Sequence, residues 1–328
     1  MATKKILLTG GAGFVGRHLA RRLLEAGHEV HCVDPIVPLT GGIEPERWPE
    51  FDPRDFRNFR FHREDCRAWF GRVDDTDFDY AYHLAAVVGG RAMIENQPLA
   101  VADDLSIDSE YWQWAVRAKP KKTVCFSSSA AYPVRFQEKV GHRLLSEDMI
   151  DFSKDLGVPD YSYGWAKLTH EYLAKLAFEK HGLKSVTYRP FSGYGEDQDD
   201  HYPFPSICKR VLEMKGKPKV TVWGTGDQMR DFIHIEDCAD GILATVDRID
   251  DAQALNLSTG KLTSFKEFAR MAAKQAGYAP EIAGQTEQPA GVFARGGCTK
   301  KQEAFGFKAR IGFDEGVRRA LEYFSKKS

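Results

Sequence analysis

Ile6-Leu7-Leu8-Thr9-Gly10-Gly11-Ala12-Gly13-Phe14-Val15-Gly16 is an apolar run, a glycine-rich turn and the opening of a helical pattern that continues to about Ala26. Each of three glycines suits a bound dinucleotide. Gly10 permits the tight strand-to-helix turn, Gly13 lets the backbone approach a pyrophosphate, and Gly16 lets the helix pack closely on the strand. The N–H groups at the helix start, around Phe14 and Val15, then face the phosphates. A second apolar run, Val30-His31-Cys32-Val33, ends in Asp34, placed where a carboxylate can accept hydrogen bonds from both ribose hydroxyls. Strand, glycines, helix and acid together predict a dinucleotide site.

Outward from this turn, strand and helix signals alternate, which predicts α/β architecture with a doubly wound parallel sheet. The predicted strands are Ile6–Leu8, Glu29–Val33, Phe59–Phe61, Tyr80–Leu84, Thr123–Ser127 and Ser185–Tyr188. Apolar spacing near three and four predicts helices at Ala100–Arg117 and Tyr163–Lys180. Tyr111, Trp112 and Trp114 on the first are expected to face a partner helix. Residues Pro35–Asn58, rich in Pro, Gly and charge, read as a surface loop or lid edge. After Pro190 the alternation breaks into a smaller mixed α/β region. There a helix runs from Pro203 to about Met214, a strand covers Lys219–Trp223, a helix Asp237–Arg248 and a strand Ala254–Leu257. Ser264, three residues before Glu267, caps an amphipathic helix to Ala276.

A length of 328 residues exceeds the usual single core and favours one large domain plus a smaller one. The net charge of -1 gives no general field for nucleic acid or anionic membrane, so phosphate recognition must be local. Mean hydropathy of -0.44 suits a soluble globular protein. No apolar run is long enough to span a bilayer, and Lys4-Lys5 precede too few apolar residues for a signal peptide. Six cysteines without a C-x-x-C motif read as reduced residues of a cytoplasmic protein. The histidines show no ligand pattern, so no metal is expected.

The chemistry is carried by Tyr163-Gly164-Trp165-Ala166-Lys167, whose spacing puts a phenol and an ammonium on one helix face. A nearby cation favours phenolate, so Tyr163 can act as a base well below the ordinary tyrosine pKa of about 10. Ser127-Ser128-Ser129 ends a predicted strand, where ligands of doubly wound sheets bind, and a hydroxyl there can orient a substrate alcohol.

Taken together, the glycine turn, His83-Leu84-Ala85-Ala86, Ser127–Tyr132, Tyr163 with Lys167, Arg189-Pro190-Phe191, Arg230-Asp231-Phe232-Ile233-His234 and Asn256-Leu257-Ser258 resemble the extended short-chain dehydrogenase/reductase family. Within it, the likeness is to the NAD-dependent nucleotide-sugar epimerases and dehydratases, and it covers nearly the whole chain. The resemblance implies a Rossmann domain holding NAD over residues 1–190, with 231–256 returning to it. Residues 191–230 and 257–328 would bind a nucleotide diphosphate sugar, and the molecule would be a homodimer. It makes Ser128 the catalytic hydroxyl and Tyr163 the base, with Lys167 holding the nicotinamide ribose. It adds Asp65, Cys66, Leu84, Ala85 and Ala86 to the cofactor residues. On the substrate side it implies Val88, Gly89, Ser129, Ser192, Arg210, Trp223, Arg230 and Arg295, with Arg230 and Arg295 on the diphosphate and Trp223 reading equally as a core residue.

The chain departs from the family pattern at Asp104-Leu105, where an Asn-Asn pair is common, at Ser192 in place of asparagine, and at Cys298 in place of aspartate. Dehydratases of the family carry Asp-Glu just after the catalytic hydroxyl, and the branch with GDP-mannose epimerase carries a cysteine two residues after it. Here Ser129 and Ala130 stand there, and alanine can neither donate nor accept a proton. His201, Tyr202 or Glu95 are alternative proton carriers. The activity expected is therefore epimerisation at C4 through a transient ketone. A 4-ketoreductase or dehydratase is the alternative among enzymes, and an NAD(P)-sensing Rossmann protein the alternative outside them.

Overall fold

The computed structural model describes residues 2–37, 41–73 and 77–326. In chain order its first half contains β1 (Lys5–Thr9), α1 (Phe14–Glu25), β2 (Glu29–Val33), β3 (Phe59–His62), α2 (Cys66–Arg72), β4 (Tyr80–His83), α3 (Arg91–Asn96), α4 (Pro98–Val101), α5 (Asp104–Ala118) and β5 (Lys122–Phe126). Next come α6 (Tyr161–His181), β6 (Ser185–Pro190), α7 (Pro203–Glu213), β7 (Lys219–Trp223), β8 (Met229–Arg230), α8 (Ile235–Thr245) and β9 (Asp251–Leu257). The chain closes with β10 (Thr263–Ser264), α9 (Phe265–Gln275), β11 (Glu281–Gln285), β12 (Ala294–Arg295), α10 (Lys300–Ala304) and α11 (Phe313–Ser325).

Seven strands form a parallel sheet in the order β3-β2-β1-β4-β5-β6-β9. The continuous apolar run of β1 is explained by its central place, since both faces are covered. Ile6 and Leu8 join a core with Leu19 and Leu23 of α1 and Ile242 of α8. Leu7 points the other way, into a core with Phe70 of α2, Tyr111 and Trp114 of α5 and Ala174 of α6. Thr9 pairs with Val33 on one side and His83 on the other, so the strand order reverses at β1. That reversal opens a crevice at the carboxyl ends of β1 and β4, where ligands of such sheets bind. A third core joins Phe204, Val211, Val220, Val222, Phe268, Val317 and Phe324, contributed by α7, β7, α9 and α11. The result is a Rossmann-type sheet with a smaller mixed α/β region.

The capping box at α9 is present: Glu267 N donates to Ser264 Oγ at 3.2 Å, and Ser264 N donates to Glu267 Oε2 at 2.8 Å. Three expectations need correction. The helix expected from Ala100 is broken between Val101 and Asp104, and α5 proper starts at Asp104. Tyr111, Trp112 and Trp114 do not face outward but are buried, because α5 is packed between α2 and α6. The large apolar side chains left exposed on α5 and α6 are Leu105 (42%), Tyr161 (49%), Trp165 (47%) and Tyr172 (43%). Residues 35–58, of which 38–40 lie outside the described residues, are more than a surface loop. Trp48 is buried against Phe51 and Phe59, and its Nε1 donates to Ile43 O at 2.9 Å.

Candidate active site

The glycine turn packs against neighbouring backbone too closely for side chains. A Cβ on Gly10 would lie 2.6 Å from Ala85 N, and one on Gly16 would lie 2.4 Å from Gly10 O. Gly10 also has φ +70°, a region glycine adopts without steric cost. Gly13 caps α1 without a side-chain hydrogen bond, and the first turn holds no acidic residue. The opening N–H groups of α1, at Phe14 and Val15, are thus available to an anion. Asp34 Oδ2 accepts from Ala12 N at 3.0 Å and Oδ1 from Ile36 N at 2.7 Å. Burial pushes its pKa up against those two bonds. Two further lone-pair sites remain on the carboxylate for ribose hydroxyls. The donor set fits a dinucleotide.

Leu84, Ala85, Ala86, Val88 and Gly89 follow β4 as a half-buried segment leading away from the glycine turn. Asp65 is occupied in holding α2: it accepts from Arg67 N at 2.8 Å, capping that helix, and pairs with the Arg67 guanidinium at 2.7 Å. Cys66 beside it is buried.

Beyond β5, Ser128 Oγ accepts from Ala130 N at 3.1 Å and starts a short turn in which Ser129 is buried. The Ser128 hydroxyl also lies near enough to the phenol of Tyr163 to lower its pKa. Lys167 Nζ lies 5.6 Å from the centre of the Tyr163 ring. The intervening Gly164 is what lets α6 come so close, because a Cβ there would sit 2.5 Å from Ala130 O. The expected lowering of Tyr163 needs correction: its pKa lies above the ordinary value, because burial raises it most and Asp104 adds to the rise, while Lys167, the Ser128 hydroxyl and Arg295 offset only part. For Lys167, burial opposes the charge, but Asp104, Asp108 and Tyr163 outweigh it and hold the amine above its ordinary range. Behind this group, Arg189 and Glu171 form a buried pair with Nε–Oε1 at 2.8 Å, and Arg189 Nη1 donates to Tyr132 Oη at 2.9 Å. The Arg189-Pro190-Phe191 stretch thereby ties β6 to α6.

Asp160, just before α6, gathers cations. Its Oδ1 accepts from Arg91 Nη1 at 2.9 Å and its Oδ2 from Arg295 Nη2 at 2.7 Å. Arg230 is adjacent: a Cβ on Gly291 would be 3.3 Å from Arg230 Nη2 and 3.4 Å from Arg91 Cζ. Burial, reinforced by Arg295, lowers Arg230 to about 9, the sign of a site short of anions. Two of these arginines were expected from the sequence. Arg91 and Asp160 were not, and neither was Gln137, which holds Arg295 Nε at 2.6 Å.

Arg210 and Trp223 occupy a different position, on α7 and at the end of β7. Arg210 Nη1 donates to Thr221 O at 2.9 Å, and Trp223 is exposed. Ser192 is half-buried at φ +32°, backbone that asparagine adopts more readily than serine. Among the described residues, no group of His, Cys, Asp and Glu is placed to hold a metal, and no helix is long and apolar enough to cross a membrane.

A family model described as "NAD dependent epimerase/dehydratase family" matches residues 6–258. The fold is similar to a UDP-glucose 4-epimerase of Thermotoga maritima solved with UDP-glucose, at TM-score 0.82 and 23% identity over 98% of this chain and 99% of that one. A UDP-glucuronic acid 4-epimerase of Bacillus cereus, solved with UDP-glucuronic acid and NAD, is 26% identical, with TM-score 0.80 over 99% of this chain and 100% of that one. Among relatives, a GDP-L-colitose synthase of Yersinia pseudotuberculosis is 23% identical over 98% of this chain and 97% of its own length.

Proposed function

Because the chain belongs to the NAD dependent epimerase/dehydratase family, we propose that it epimerises the sugar of a nucleotide diphosphate sugar at C4 through a transient ketone. In this reading residues 1–190 and 231–256 hold NAD, and 191–230 and 257–328 hold the nucleotide sugar. The observation that carries it is Lys167 Nζ 5.6 Å from the Tyr163 ring, with the Ser128 hydroxyl near the same phenol and the glycine turn at the end of β1.

When bound, NAD would supply reversible hydride transfer at the sugar carbon. The chain supplies the rest. Ser128 Oγ orients the sugar hydroxyl, Tyr163 Oη takes its proton, and the Lys167 ammonium stabilises the phenolate and holds the nicotinamide ribose. Arg230 and Arg295, joined by Arg91, receive the diphosphate, whose charge replaces part of what Asp160 supplies. After the ketone turns its other face, Tyr163 returns the proton. Elimination of water would need another acid or base at the ring. The position two after Ser128 is Ala130, Glu95 is tied to Arg91 at 2.6 Å, and His201 is exposed. Tyr202 is the remaining candidate, its phenol raised above the ordinary value by burial.

Incubation with UDP-, GDP-, CDP- and dTDP-sugars in D₂O tests the reading. An epimer without solvent deuterium on ring carbon and without net cofactor consumption is expected. Deuterium on a ring carbon or loss of water would replace it with dehydration, and stoichiometric consumption of NAD(P)H would replace it with ketoreduction.

A further inference from the structure

Lys167 has a charged neighbour that the reaction above does not use. Asp104 opens α5, and its Oδ2 lies 3.4 Å from Lys167 Nζ, with the two side chains 1% and 5% exposed. Its Oδ1 accepts from Val87 N, in the segment that leaves the glycine turn. The carboxylate therefore ties the lysine to that segment. Oδ2 accepts no hydrogen bond, so only the Lys167 charge balances it.

The other titratable groups packed here cancel among themselves. One turn along α5, Asp108 Oδ1 lies 3.0 Å from His170 Nδ1 on α6 and 3.3 Å from His83 Nε2 on β4. Burial pushes His83 down to about 4, leaving it neutral. Burial also opposes charge on His170, but Asp108 outweighs it and raises that imidazole to about 10. Burial raises Asp104 as well, with Lys167 and the Val87 N–H pulling it back, so the cluster pairs Lys167 with Asp104 at 3.4 Å and His170 with Asp108 at 3.0 Å. Without Asp104, one uncompensated cation would stand behind Tyr163.

We propose that Asp104 is a positioning residue that fixes Lys167 and cancels its charge, so that the site favours the cationic, oxidised nicotinamide over the neutral, reduced one. The inference rests on the assignment of Lys167 to the nicotinamide ribose. It deepens the proposed reaction, because a protein that regenerates its cofactor in every cycle must rest in the oxidised form. A carboxylate beside the lysine lowers the repulsion between two cations in a partly screened site.

The test is titration of the wild type and of Asp104→Asn, Asp104→Ser, Asp104→Glu and Asp108→Asn with NAD⁺ and with NADH. The Asn and Ser variants at 104 are expected to shift relative affinity towards NADH by about tenfold, the scale of one unit charge in such surroundings. Asp104→Glu retains the wild-type ratio even if both affinities fall. Asp108→Asn removes an anion together with the proton it holds on His170, so the ratio stays within about twofold. Parallel weakening of both forms at an unchanged ratio in the Asn and Ser variants would make Asp104 merely structural and overturn the proposal. A wild type that binds neither form would instead overturn the NAD reading, and this inference with it.

Discussion

Tyr163→Phe separates chemistry from structure, because the two effects differ widely in size. The ring remains, so the packing of α6 against the Ser128 turn is retained and Gly164 stays seated on Ala130 O. Only the phenol oxygen is lost, and a typical polar contact of this kind contributes about 0.5–1.5 kcal/mol net. In a chain of this length that lowers Tm by a few degrees at most. The reaction loses its proton carrier, and a positioned general base is worth roughly 10²–10⁴-fold, about 2.7–5.5 kcal/mol of barrier. Turnover on the nucleotide sugar identified by the panel, thermal melting and NAD titration, all on one preparation, read the two effects side by side. A collapse of turnover is expected, with near-wild-type Tm and cofactor affinity. If Tyr163→Phe kept more than about a tenth of wild-type turnover, the base would lie elsewhere, with Tyr202 the next residue to replace.

NAD should bind more tightly than NADP, since Asp34 would repel a 2′-phosphate; tighter binding of NADP in a fluorescence titration would contradict this. Lys167→Met strands a buried carboxylate at Asp104 and should cost about 3–5 kcal/mol in a denaturant melt. Adding Asp104→Asn should restore much of that stability but no turnover, and a double variant as unstable as the single one would show that the pair is not coupled. Gly164→Ala drives a Cβ to 2.5 Å from Ala130 O and should cost about 1–3 kcal/mol together with a large loss of turnover; a fully active variant would mean the Ser128–Tyr163 geometry tolerates displacement. The exposed Leu105, Trp165 and Tyr172 lead us to expect a homodimer through α5 and α6, and a monomer mass by light scattering at micromolar concentration would count against it.

The central strand β1 was legible because it is buried on both faces and Ile6-Leu7-Leu8 reads as an unbroken apolar run. Helices shorter than about two turns give too few repeats for a periodic signal, which hides Cys66–Arg72 and Arg91–Asn96. Phe313–Ser325 is different: Val317, Ala320, Leu321 and Phe324 have helical spacing, so that helix was open to reading although it was not inferred. The aromatics of α5 misled for a definite reason. Tyr111 and Trp114, three apart, both pack on Phe70 of α2, and Trp112 packs on His170 of α6, so the cluster is used up inside the subunit rather than offered to a partner.

For the site, what could be read depended on distance along the chain. Tyr163 and Lys167 share one helix, and the glycines share one turn, so spacing alone aligns them. Arg91, Asp160 and Arg295 come from three remote segments and meet only because the start of α6 lies between α3 and β12. No local pattern contains that meeting. Asp104 shows the same limit more sharply. In the sequence it is one acid in place of an amide, and an exposed aspartate there would change little. Burial makes the substitution costly, since a carboxylate withdrawn from water persists only beside a compensating cation. Lys167 is that cation, and the packing of α5 on α6 supplies it. An acid at 104 and a lysine at 167 therefore form one electrostatic unit, and a change at either should be judged by the charge it leaves on the other.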